Sequence, residues 1–129
     1  MENTKFNPII WFEIYVDDME RAKNFYEKVF NVQLEKLPSP PGDPMEMFVF
    51  PSDMKNSGAS GTLVKMEGVK AGGNSTLIYF WSEDCTTEES RVIEAGGKIF
   101  KPKMSIGDYG FISLLFDTEG NMIGLHSLK

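Results

Sequence analysis

A strand that runs into an acidic turn and then a helix occurs twice in this chain at one constant offset, and this repetition constrains the fold most. In the first copy, residues 9–16 are rich in β-branched and aromatic side chains, as strands are. Asp17 and Asp18 follow, and a helix start favours them because its free N–H groups and dipole attract negative charge. Met19, Ala22, Phe25, Tyr26, Val29 and Phe30 then recur at helical spacing, with polar residues such as Glu20, Lys23 and Glu27 between them. In the second copy residues 76–82 are the strand, Glu83 and Asp84 the turn, and residues 85–95 the helix, stopped by Gly96 and Gly97. Ile10 maps onto Thr76, Asp18 onto Asp84, and the corner 50–53 onto 116–119.

Three further strand candidates follow each helix: residues 32–36, 45–50 and 62–66 in the first half, and 98–101, 111–116 and 121–127 in the second. Residues 37–44 cannot be regular, because Pro38, Pro40, Pro41 and Pro44 remove donors and restrict their neighbours. Residues 51–61 read as a Ser/Gly/Asn-rich loop, and a second loop carries Pro102, Gly107 and Gly110. The fold class that results is α+β: two tandem βαβββ modules forming a curved, cleft-containing mixed sheet with helices on the outer face. A single domain spans 1–129, with module 1 at about 8–67, a connector at 68–75 and module 2 at about 76–129. A sheet covered by a helix on one face leaves its other face open, and two such sheets can enclose a cleft.

The first strand has two unlike faces. Side chains alternate along a strand, so Ile10, Phe12, Ile14 and Val16 share the apolar row that suits the helix stripe. Trp11, Glu13 and Tyr15 share the other row, which is aromatic but carries a carboxylate and a phenol. Such a row suits a partly polar concavity; the competing reading is an ordinary exposed or dimer-covered sheet face.

The 129 residues suffice for a sizeable core without staples. A net charge of −6, with lysines and arginines scattered, argues against nucleic acid or an anionic membrane as partner. No apolar run reaches the roughly 20 residues of a membrane span, and the polar residues 1–7 do not read as a signal peptide. The single cysteine, Cys85, cannot form an internal disulfide, which fits a cytoplasmic protein. It opens the second helix at the repeat position of Met19, a packing residue.

The segments 16–26 (Val-Asp-Asp-Met-Glu-Arg-Ala-Lys-Asn-Phe-Tyr), 94–98 (Glu-Ala-Gly-Gly-Lys), 106–111 and 117–126 together sample both modules. In these segments the chain resembles the vicinal oxygen chelate superfamily, which includes glyoxalase I, bleomycin-resistance and extradiol dioxygenase proteins. The resemblance implies paired βαβββ modules, a homodimer, and a small-molecule site in the concave sheet. It also implies a divalent metal held by four side chains, which polarises two vicinal oxygens of the substrate. Carried over position by position, the ligands fall on Trp11, Leu77 and Gly124, with the fourth near Gly61 and Thr62. Trp, Leu and Gly offer no suitable lone pair, so no metal ligand is assigned and no cofactor is expected.

Glu13, Tyr79 and His126 each lie two residues beyond one of those positions and so should project onto the same face. They are the catalytic candidates, as a displaced metal site or as a metal-free acid/base pair with a phenol donor. The competing reading makes His126 a hydrogen-bonded strand residue and Glu13 a solvated carboxylate. Trp11, Tyr15, Phe48, Leu77, Trp81 and Met122 are the ligand-binding candidates; Trp11, Tyr15, Phe48 and Trp81 with Tyr79 could line an aromatic slot, the competing reading being dimer interface or plain core. Lys101 and Lys103 could meet an acidic substrate or be merely solvated. The expectation is a glyoxalase/bleomycin-resistance-like homodimer that binds a small organic molecule without the usual metal. The alternative is a lactoylglutathione-lyase-related lyase or isomerase with Zn, Ni, Mn or Fe on shifted ligands.

Overall fold

Asp18 turns the first strand into the first helix. In the computed structural model, which describes residues 8–38, 42, 44–53 and 55–129, β1 is Trp11–Tyr15 and α1 is Met19–Phe30. Asp18 sits extended at φ −130° and ψ 105°, and its side chain accepts from Arg21 N at 3.1 Å, which satisfies one of the free donors of the first turn. The stripe is buried: Ala22, Phe25, Tyr26 and Val29 are each 0% exposed.

The remaining strands are β2 (Glu35–Leu37), β3 (Glu46–Val49) and β4 (Ser60–Lys65) in the first half. The second half holds β5 (Ile78–Trp81), α2 (Cys85–Glu89), β6 (Lys98–Ser105), β7 (Phe111–Phe116) and β8 (Met122–Ser127). Each half forms a 4-stranded sheet, in the orders β1-β4-β3-β2 and β5-β8-β7-β6. In both, the first strand runs parallel to the last and the other pairs are antiparallel. The two βαβββ modules expected from the repeat are therefore present, with identical topology.

Two elements differ from expectation. The helix expected over 85–95 is regular only to Glu89 and continues as turns to residue 96. Thr86, Thr87 and Ser90 are weak helix formers whose hydroxyls compete for backbone groups, and Ser90 Oγ does donate to Thr87 O at 2.8 Å. The expected stop holds: Gly96, at φ 97°, donates to Ile93 O at 3.0 Å while Gly97 N reaches Val92 O at 3.0 Å. The strand expected to end at 101 runs on through Pro102 to Ser105, because β6 is a sheet edge where a missing donor is tolerated and two register shifts absorb the irregularity. The proline-rich 37–44 segment lies partly outside the described residues.

Both helices contribute to one apolar core. The α1 stripe meets Ile14, Val16, Leu63 and Phe50, and Cys85 and Val92 meet Leu115, Ile123 and Leu125. The turn after β7 then ties the modules together. Glu119, its side chain fully buried, accepts from Asp17 N and Asp18 N at 2.9 Å each and from Arg21 Nε at 2.7 Å. Tyr26 OH donates to Asp117 at 2.7 Å, and Asn121 Nδ2 donates to Tyr15 O at 3.0 Å.

Candidate functional site

Alternation places one row of each strand on the face away from the helices. On β1, Ile14 is 6% exposed and Trp11 43%. Approaching and along β5, Leu77, Tyr79 and Trp81 are exposed, while Ile78 and Phe80 pack against the core. On β8, Ile123, Leu125 and Ser127 are buried, so Met122, Gly124 and His126 take the open face.

β1 and β5 are the neighbouring edges of the two sheets, and no ladder joins them. Their closest ring contact, Phe12 with Phe80, has centroids 6.0 Å apart. A cleft of about 1000 Å³ opens along this seam. Trp11, Glu13, Leu77, Tyr79 and Trp81 line it on the open side, and Phe12, Phe30, Phe50 and Phe80 line it towards the core. Tyr15 and Met122 line an adjoining pocket of about 240 Å³ that also reaches Glu13, Lys70, Asn74 and Thr76. His126 lines a third pocket, of about 470 Å³, with Tyr79, Trp81, Ile106 and Ile112.

Glu13 and His126 thus line no common pocket, and Tyr79 stands between them. Tyr15 OH donates to Glu13 Oε1 at 2.8 Å; that bond, reinforced by burial, raises the phenol above its ordinary range. His126 Nε2 lies 2.8 Å from Tyr109 O, and a carbonyl only accepts, so Nε2 is the donor in this contact, while Nδ1 has no hydrogen-bond partner among the described residues. Phe48 lies elsewhere: its ladder partner Leu63 is in the core, and the Lys23 ammonium of α1 stands 5.4 Å from its ring centroid, on the helix-covered face. Lys103 is tied to the Asp84 carboxylate at 2.9 Å and stands over the Phe111 ring, and this pairing holds the Asp84 carboxyl below its usual range.

The positions where the resemblance places metal ligands do not fit a metal. The Tyr79 ring lies over Gly124 so closely that even a Cβ there would collide with it. Trp11 and Leu77 supply no donor, and Thr62, beside Glu13 on β4, brings one neutral hydroxyl that is buried without a hydrogen-bond partner. No group of three or more His, Cys, Asp or Glu side chains that could hold a metal occurs among the described residues.

Sequence periodicity did not reveal the phenylalanine floor. Phe12 and Phe30 read as part of the apolar row and helix stripe, and Phe50 and Phe80 only as strand residues, because a residue facing a seam between edge strands has the same pattern as one facing a sealed interior. The Glu119 and Asn121 joint was likewise unrecognised beyond its acidic character; polar residues at a turn carry no local sign of the distant module they bind.

Paired βαβββ modules flanking an aromatic-lined cleft define the α+β fold of the vicinal oxygen chelate type. The chain belongs to the glyoxalase/bleomycin resistance protein/dioxygenase superfamily, whose family model matches residues 8–125. It is 27% identical over 117 residues to CFP32 of Mycobacterium tuberculosis (strain CDC 1551 / Oshkosh), which bears a provisional glyoxylase name. That match takes in 89% of this chain but only 43% of the relative, so the chain spans less than half of that protein's length. Among solved structures, glyoxalase I of Zea mays shares the fold at a TM-score of 0.75 and 20% identity, over 93% of this chain and 46% of that one. A glyoxalase/bleomycin resistance protein from Streptomyces sp. CB03234 superposes with a TM-score of 0.64 at 26% identity, over 92% of this chain and 98% of that one. No helix among the described residues is long and apolar enough to cross a membrane.

Proposed function

We propose that the protein binds a small organic molecule in the seam cleft between β1 and β5, without the metal usual in its superfamily. The observation that carries this reading is the cleft itself: about 1000 Å³, with Trp11, Tyr79 and Trp81 left between 43% and 74% exposed around it. Three large, partly exposed aromatic side chains around one hollow suit stacking on a flat ligand, and a few polar groups such as Glu13 would fix its orientation. Binding of this kind needs no catalytic group, which agrees with the separation of Glu13 from His126. The same exposed rings support a homodimer, since a partner covering part of the open faces would remove apolar surface from water. Light scattering at micromolar concentration tests that assembly, and a monomer would end the proposal of a dimer. A cytoplasmic location is part of the same reading, supported by the single buried cysteine.

The test of binding is a thermal-shift screen against thiol conjugates, aromatic antibiotics and 2-oxo acids, because a ligand that prefers the folded state raises its melting temperature. A compound that stabilises the native chain and fails to stabilise Trp11→Ala supports the cleft as the site. A compound whose shift survives both Trp11→Ala and Trp81→Ala binds elsewhere and removes the proposal's basis.

A second reading, a metal-dependent lyase or isomerase, is favoured by the glyoxylase name of the relative and by the free Nδ1 of His126. Dialysis against Zn²⁺, Ni²⁺, Mn²⁺ or Fe²⁺ followed by metal analysis separates the two. One tightly held metal per chain that disappears in Glu13→Gln or His126→Ala would replace the first reading with the second.

A further inference from the structure

Resting on the cleft reading above, we infer that the ligand is a flat organic cation, such as a ring carrying a quaternary or protonated nitrogen. Among the described residues, the charged side chains lining the seam cleft are Glu13 and Glu88, and no lysine, arginine or histidine lines it. Neither carboxylate is neutralised by a salt bridge among the described residues: Glu13 Oε1 takes the Tyr15 hydroxyl and Glu88 Oε1 the Ser82 hydroxyl, both neutral donors, and each side chain has a second oxygen that could serve a ligand. Basic side chains among the described residues line the neighbouring pockets instead: Lys70 on the Tyr15 side, and His126, whose Nε2 is engaged with Tyr109 O.

The rings point the same way. Trp11, Tyr79 and Trp81 line the cleft, and the quadrupole of an aromatic ring attracts a cation to its face and repels an anion, most strongly for Trp. A site of acceptor carboxylates and aromatic faces combines two attractions that both require positive charge on a flat body. The chain's net charge of −6 adds a long-range field of the same sign. An anionic thiol conjugate would instead meet two carboxylates with no cation to balance them. The cleft thus discriminates within its own family fold by charge.

The sequence provides its own reporter, because the chain has only 2 tryptophans and Trp11 and Trp81 both line the cleft. The full-length chain is titrated by calorimetry, with tryptophan emission as a second readout, against three probes of matched size. These are 1-methylquinolinium as cation, 1-naphthalenemethanol as neutral body and 1-naphthalenesulfonate as anion. The expected order is cation about tenfold tighter than neutral, with the anion weakest. Glu13→Gln is expected to bring the cation affinity close to that of the neutral probe, with the variant's melting temperature and circular dichroism verifying that it folds. Raising salt from about 0.05 M to about 0.5 M is expected to weaken the cation alone. Equal affinity for cation and neutral probe, a preference for the anion, or a cation affinity untouched in both Glu13→Gln and Glu88→Gln would overturn the charge assignment and leave the cleft standing. Saturable binding of none of the three would remove both.

Discussion

The two ends of the seam between the modules are built from opposite materials. At the Tyr15 end the modules are joined by directed polar contacts: Glu119 to Asp17, Asp18 and Arg21, Asp117 to Tyr26, and Asn121 to Tyr15. At the Trp11 end, no hydrogen-bond ladder joins the sheets, and aromatic side chains line an open cleft above the Phe12 and Phe80 ring contact. The difference is instructive because a cleft between two sheet edges is stable only if something else fixes their separation. Buried, fully partnered polar groups do so with defined geometry, whereas apolar side chains alone would let the seam collapse or slide. One end holds the modules at a set distance, and the other is thereby left free to receive a ligand.

Removing Glu119 should show the asymmetry most strongly. Glu119→Ala leaves the Asp17 and Asp18 N–H groups and the Arg21 guanidinium without their acceptor, and should destabilise the fold by about 2–4 kcal/mol in urea unfolding. A loss under about 1 kcal/mol would mean that the joint is not what holds the seam.

The pH dependence sharpens the same point. Burial pushes the Glu119 carboxyl up, but the bonds from Arg21, Asp18, Thr118 and Asp17 outweigh it and lower it from 4.5 to about 2. A folded-state pKa below the unfolded value contributes stability that is complete above about 4.5 and is lost as pH falls towards about 2. Asp117 has the opposite sign, since burial outweighs its hydrogen bonds and raises its carboxyl, so its protonation on acidification favours the fold. The stability gap between the native chain and Glu119→Gln should therefore be constant above pH 4.5 and shrink below it, by up to about 3 kcal/mol. A gap that stays level through this range would break the assignment.

Tyr26→Phe tests the neighbouring bond. It removes the hydroxyl from a fully buried ring and leaves Asp117 with its other donors, so a loss of about 1–2 kcal/mol is expected by thermal unfolding. At the open end the expectation reverses. Trp81, at 74% exposed, stabilises the fold little, and Trp81→Ala should change stability by no more than about 0.5 kcal/mol while abolishing most of the cation-probe binding described above. A Trp81→Ala protein that unfolds as readily as Glu119→Ala would erase the contrast between the two ends.

Much of this organisation was readable from residue order. The Asp18 cap, the Met19-to-Phe30 stripe and the constant offset between halves identified both modules, because capping, helical period and strand alternation are local properties. Alternation placed Trp11, Glu13 and Tyr15 on one row of β1, and the resemblance put Leu77, Tyr79 and His126 on the same side; of these Trp11, Glu13, Leu77 and Tyr79 line the seam cleft. Phe48 departed from its expected place because facing was inferred for β3 without its register; pairing with the core residue Leu63 turns its ring to α1. The end of α2 departed because Thr and Ser hydroxyls compete with the helix, an effect weaker than the periodicity that suggested a longer one.

The sequence by itself determined the units: which residues form strand and helix, which row of each strand is apolar, and that the unit occurs twice. These follow from interactions over a few residues, for which neighbours in the chain are neighbours in space. Only the tertiary structure decided how the units meet. Glu119 reaches Arg21 across 98 residues, the Tyr79 ring fills the space above Gly124, and Glu13 and His126 line different hollows. Those outcomes depend on distances between edges that no local pattern encodes, since contacts between the modules fix them, among them the polar joint and the packing of Phe12, Phe30 and Phe50 on Phe80.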